Sequence, residues 1–159
     1  MDNKDQVKKD VQKFLSENVT AVIATSFNDE PRASTVYYYA DEALDFYFVT
    51  KRNTGKYINI EMNPRAAVVV GTGPEHISVM ANGEVNIVTD IEEQIRILGK
   101  MEELYKRENI TNLPIEELQN FKDRNKVIFK ITPKELIFMN LDSTSFPESH
   151  GDSFVQLIP

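Results

Sequence analysis

Residues 19–70 read VTAVIATSFNDEPRASTVYYYADEALDFYFVTKRNTGKYINIEMNPRAAVVV, and the order of patterns within them decides the fold. Residues 19–25 are a short apolar run rich in β-branched side chains and bounded by polar groups, which predicts a buried strand. Residues 26–31 carry turn chemistry. Residues 32–40 are β-branched and aromatic, Asp41 and Glu42 make a second turn, and residues 44–50 form the other arm of a hairpin. Leu44, Phe46 and Phe48 share one face of that arm, and Tyr47 and Val49 share the other. Two apolar faces predict a barrel wall or a subunit interface rather than an open sheet. A short helix over residues 54–62 follows, capped by Asn53 or Thr54 and ended by Asn63 and Pro64. Residues 66–70 are another buried strand.

Working outward, Val7, Val11, Phe14 and Leu15 fall at helical spacing, so residues 3–16 are expected to form an amphipathic helix. Residues 76–88 read as a long strand with Gly83 inside it, marking a bulge or bend. Asp90 caps a helix whose apolar positions are Ile91, Ile95, Leu98, Met101, Leu104 and Tyr105. Pro114 suits the first turn of a further helix, with Ile115, Leu118 and Phe121 behind it. Residues 127–131 and 135–141 are read as the last two strands, broken at Thr132 and Pro133. The tail, residues 142–159, is rich in Ser, Pro and Gly, and its final Phe154, Val155, Leu157 and Ile158 could dock on a partner. The sum is one mainly β (α+β) domain over residues 1–159, a six-stranded antiparallel Greek-key barrel with peripheral helices.

Composition narrows the function. With 159 residues the chain can bury a core unaided, and with no cysteine it has no thiol chemistry, thiolate metal site or disulfide. Residues 1–12 are charged and lack the apolar stretch of a signal peptide, and no window approaches 18 apolar residues. These features lead to the expectation of a soluble, cytoplasmic protein that spans no membrane. A net charge of −7 argues against nucleic acid as the main partner. His76 and His150 have no spaced partners for a metal, and no Ser-His-Asp set or nucleophile elbow is present. Gly71, Thr72 and Gly73 do not make a dinucleotide fingerprint.

Against this acidic background Lys51, Arg52 and Lys56 fall within six residues, interleaved with Asn53, Thr54 and Gly55. Taken alone, such a cluster is a solvated turn. A turn of cations, hydroxyls and free N–H groups opening a helix is also the chemistry that holds a phosphate. Arg32 has two readings as well: a surface ion pair with Asp29 or Glu30, or a second phosphate ligand.

The ordered set of residues 21–25, 31–36, 46–50 with Lys56, and 56–65 resembles the FMN-binding split-barrel proteins, the pyridoxamine 5′-phosphate oxidase-like superfamily. The likeness spans roughly residues 5–140, with residues 77–85 matching the next family strand. It implies a six-stranded Greek-key split barrel that forms a homodimer with FMN in the dimer cleft. By this resemblance Arg32 and Lys56 meet the FMN phosphate, and Ala33, Ser34 and Thr35 lie along the flavin ring and ribityl chain. Val49 and Thr50 line the cofactor, Thr50 as a donor, and Ser78 comes from the other subunit. The resemblance implies an FMN-dependent oxidoreductase taking a small-molecule substrate or a nicotinamide electron donor, with no catalytic side chain named. Three departures stand out. Tyr37 replaces a substrate-binding lysine, Gly55 replaces an arginine beside Lys56, and the late Arg-x-His motif is absent. They speak against oxidation of pyridoxamine phosphate itself. The alternative is a carrier, sensor or stress protein that binds flavin or haem without turnover; a deazaflavin would want more cations than this chain offers.

Overall fold

The turn expected over residues 26–31 is tighter in the molecule. The computed structural model describes residues 3–71, 76–111, 125–142, 144–146 and 154–158. In it, Asn28 and Asp29 alone join β1 (Thr20–Phe27) to β2 (Glu30–Ala40), at φ 51° and 60°. Two successive left-handed residues match the right-handed twist of the flanking strands, and Asn and Asp tolerate that conformation. β3 (Phe46–Lys51) runs antiparallel to β2 but pairs with it only from Tyr38 to Ala40. The chain then forms α2 (Gly55–Met62) and returns as β4 (Arg65–Val70) on the far side of β1. The spatial order β4-β1-β2-β3 is a Greek key.

β5 (Ile77–Ile87) pairs with β4, α3 (Ile91–Arg107) crosses over, and β6 (Lys126–Asn140) pairs along β5. The first part of β6, Lys126 to Ile131, also pairs with β3 and closes six antiparallel strands into a barrel. β7 (Phe154–Ile158) lies outside the barrel on the second part of β6. The apolar end of the tail therefore pairs with its own chain.

Alternation along each strand fills the barrel. Ile23, Val36, Tyr38, Phe46, Phe48, Val68, Phe129, Ile131, Leu136 and Phe138 are buried in one cluster. α1 (Asn3–Glu17) adds Val7, Val11, Phe14 and Leu15 to the same core, as its periodicity predicts. The Tyr38 hydroxyl, carried inward with its ring, donates to Leu15 O at 2.9 Å and ties α1 to β2. A smaller cluster outside the wall joins Tyr47 and Ile128 to Ile97, Leu98, Met101 and Tyr105 of α3. Both faces of β3 are thus covered.

Two expectations need correction. Residues 127–141 are not two strands: β6 runs unbroken through Pro133. The register steps from Asn82↔Glu135 to Gly83↔Pro133, leaving Lys134 as the extra residue of a bulge. A bulge tolerates the missing proline N–H, so the strand bends instead of ending. On α3 the buried stripe is Ile97, Leu98, Met101 and Tyr105, whereas Ile91 and Ile95 are exposed. The Asp90 cap holds, its carboxylate accepting from Glu93 N at 2.8 Å. The helix expected around Pro114 lies outside the described residues.

Candidate cofactor site

The short β2–β3 pairing splits the barrel wall. Residues 32–37 of β2 pair with β1 on one side, and among the described residues no strand pairs with them on the other. Side chains alternate along this free edge: Arg32 and Ser34 share the side that Val36 and Tyr38 bury, and Ala33, Thr35 and Tyr37 face outward. Arg32, Ala33 and Thr35 are exposed and Ser34 is half-buried.

α2 sits against this split, fixed by buried polar contacts. Asn59 Nδ2 donates to Thr25 Oγ1 at 3.2 Å, and Thr25 is the register partner of Arg32. Asn63 Nδ2 donates to Ser26 O at 3.0 Å. At the other end Thr54 is the cap. Its hydroxyl donates to Lys51 O at 2.8 Å and accepts from Tyr57 N at 3.4 Å. A hydroxyl has one proton to give, so the 3.1 Å contact between Thr50 and Thr54 has Thr50 as donor. The buried Thr50 hydroxyl is therefore spent on holding the start of α2.

The fold brings Arg32 to that helix start, where Lys56 is the second residue. A Cβ added to Gly55 would lie 2.7 Å from Arg32 Cζ and 2.8 Å from its Nε, so the guanidinium lies directly against the first residue of α2. Lys56 follows, half-buried, and burial lowers the pKa of its ammonium group. Among the described residues neither cation has a carboxylate within ion-pair distance, and Arg32 does not pair with Asp29 or Glu30. Arg52 is engaged otherwise: its Nη1 donates to Tyr57 Oη at 2.6 Å, its guanidinium lies 5.5 Å over that ring, and the ring packs on Phe129. Two cations without carboxylates beside the free N–H groups of a helix start are the chemistry that an anion would need, within a chain of net charge −7.

The remaining expected positions are spread more widely. Val49 faces outward and packs with Tyr39 against the α3 cluster. Ser78 is buried and donates to Val70 O at 3.1 Å. The register row through Arg32 runs Thr25, Ala66, Gly83. Ser78 lies five residues from Gly83 along β5, roughly 17 Å of strand, so one protomer does not bring it to Arg32. A groove of about 720 Å³ runs past the C-terminal end of α2, lined by Ala24, Pro31, Met62, Arg65 and Asn82 among others, but not by Arg32 or Lys56. What the sequence reading missed is the close approach of Arg32 to Gly55. Its only sequence signal is a glycine directly after a capping threonine.

Among the described residues no helix is long and apolar enough to cross a membrane, and no group of three acidic or histidine side chains could hold a metal. No curated protein matches the chain. Solved structures do. General Stress Protein 26 from Bacillus anthracis aligns over 84% of this chain and 93% of its own, at 23% identity and TM-score 0.65. HutZ, the heme storage protein from Vibrio cholerae, aligns over 79% and 88%, at 14% identity and TM-score 0.64. An FAD-binding protein from Mesorhizobium loti aligns over 78% and 87%, at 19% identity and TM-score 0.58. These likenesses establish the shared split-barrel fold. The family profile for pyridoxamine 5′-phosphate oxidase matches residues 7–140, most of the chain, and the protein belongs to that family.

Proposed function

We propose that this protein is an FMN-binding flavoprotein acting as an FMN-dependent oxidoreductase. The observation that carries the reading is the pair of cations without carboxylates, Arg32 and Lys56, at the N-terminus of α2. Both suit a terminal phosphate, and the helix N–H groups add to their field. The edge of β2 that no described strand pairs supports it further. Residues 33–35 offer small side chains and free backbone groups along which a flat ring and its polar chain can lie. FMN, when bound, would supply the redox chemistry, and the protein would bind and orient it. A phosphorylated B6 vitamer is not the substrate in this reading. Tyr37, where the family's substrate lysine would stand, is 40% exposed and packs edge-on against Tyr105 at 5.6 Å, so it offers a ring rather than a cation.

The reading includes a homodimer. Register aligns Thr35, Val22, Val69, Met80 and Ile137 in one row across five strands. Beside it lie Ala33, Ala24 and Ala67. The four apolar residues of the long row are half-exposed, and among the described residues no helix covers this part of the wall. A copy of the chain seated here would also bring a second Ser78 towards the cleft. We expect Val69→Glu to shift the solution mass measured by light scattering from two chains to one. A wild type that is already monomeric would refute the dimer.

The first test is the visible spectrum of the purified protein, with any chromophore released and identified. The expected result is a flavin spectrum yielding FMN. At about 100 times its Kd, FMN should stabilise the native state by about 2.7 kcal/mol, a rise in Tm of about 5–10 °C. A haem band would favour the non-catalytic alternative, although His76, the one described histidine, lies exposed ahead of β5.

A further inference from the structure

Gly55 looks at first like a loss, a helix position beside Lys56 that carries no side chain of its own. The geometry points the other way. The guanidinium of Arg32, reaching across from β2, occupies the space that any side chain at 55 would need. A Cβ there would lie 2.7 Å from Cζ, 2.8 Å from Nε and 3.0 Å from Nη1 of Arg32. Real Cβ atoms do not approach other heavy atoms so closely. The contact involves the flexible end of a side chain, so the guanidinium would move while the backbone stayed in place. Gly55 needs no glycine for backbone reasons: it opens a regular helix, and the left-handed positions of the chain lie elsewhere. Nor does the helix gain from glycine, which is among the poorest helix formers. What the glycine provides is room for Arg32.

We infer that Gly55 is a positioning residue for the phosphate end of the ligand, acting through Arg32. Its missing side chain lets a guanidinium delivered by the barrel wall stand at the N-terminus of α2, next to Lys56. The site thereby places its two cations from two different elements, one on β2 and one on α2. Asn59 ties α2 to Thr25 of β1, the register partner of Arg32. The inference rests on the proposed phosphate site and goes beyond it. It assigns a binding role to a residue with no side chain, and it predicts that restoring a side chain at 55 harms binding.

The test is a double-mutant cycle read by flavin fluorescence, with FMN and riboflavin as probes and the Tm of each apo variant recorded. Gly55→Ala is expected to leave the Tm unchanged or raised, to weaken FMN about tenfold, and to leave riboflavin affinity as it was. In an Arg32→Ala background, Gly55→Ala should have no further effect, because the group it displaces is gone. Unchanged FMN affinity in Gly55→Ala would overturn the inference while leaving the phosphate site intact. An equal loss in both backgrounds would also overturn it, since Gly55 would then act without Arg32. A wild type that ignores FMN would overturn the cofactor reading and this inference with it.

Discussion

Replacing Gly83 with alanine should cost about 3 kcal/mol of folding stability and lower the Tm by about 6–12 °C. A Cβ at Gly83 would lie 2.1 Å from Thr132 O, 2.8 Å from Thr132 C and 2.9 Å from Pro133 Cα. All three are backbone atoms of β6, at the bulge where Gly83 opposes Pro133 and Lys134 is the extra residue. No rotamer change relieves the overlap, so β5 and β6 must separate. These two strands share the longest pairing in the barrel, from Ile77↔Asn140 to Ile87↔Phe129. Separation would also disturb Val85, Ile131 and Leu136, buried on either side of the bulge. Urea denaturation would show the loss as a lower midpoint at unchanged slope. Gly99→Ala is the internal control. Gly99 lies within α3, nothing sits within 4 Å of its Cβ position, and alanine there should stabilise by up to about 1 kcal/mol. Equal effects at the two positions would mean that the bulge is not as tight as described.

Removing the two cations should have the largest effect on binding. A hydrogen bond to a charged group is worth about 1.5–3 kcal/mol, so Arg32→Ala and Lys56→Ala should each weaken FMN by about 10- to 100-fold. Riboflavin, which lacks the phosphate, should lose little with either variant, and that contrast isolates the phosphate. The apo protein should respond with the opposite sign. Burial without a carboxylate partner lowers the pKa of Lys56, so its charge opposes folding in the empty site. The unfolded chain holds that proton more tightly, so this group destabilises the apo fold below its lowered pKa, and the penalty fades as pH rises through it. Lys56→Met should therefore raise the apo Tm slightly while weakening FMN. Affinity of the wild type for FMN should fall on the alkaline side as the Lys56 ammonium deprotonates. If Lys56→Met leaves FMN affinity intact, the proposed phosphate site is wrongly placed.

Much of this was legible in the sequence because strand periodicity is local. The alternation of Phe46, Tyr47, Phe48 and Val49 announced a wall with two covered faces. Residues 54–63 carried their own start and stop signals, and the structure chose Thr54 over Asn53 as the cap. Gly83 marked its bulge, and the resemblance named a family to which the chain does belong. The misreadings have one cause: each needed a neighbour that the sequence does not show. Pro133 reads as a strand break until Gly83 is set opposite it. Ile91 and Ile95 read as core because they continue the period of Leu98, but the barrel meets α3 along a stripe turned towards Ile97.

By itself, then, the sequence determined α1 to α3 and the strands up to β5, the turns between them, and which residue types could hold a phosphate. Propensity, alternation and capping act over a few residues and leave their mark in order. The tertiary structure decided the rest. It closed β3 onto β6, left residues 32–37 of β2 with one strand partner among the described residues, and laid the Arg32 guanidinium against Gly55. Each of these depends on which surfaces meet in space, and the contact between residues 32 and 55 leaves no more in the sequence than a glycine after a capping threonine.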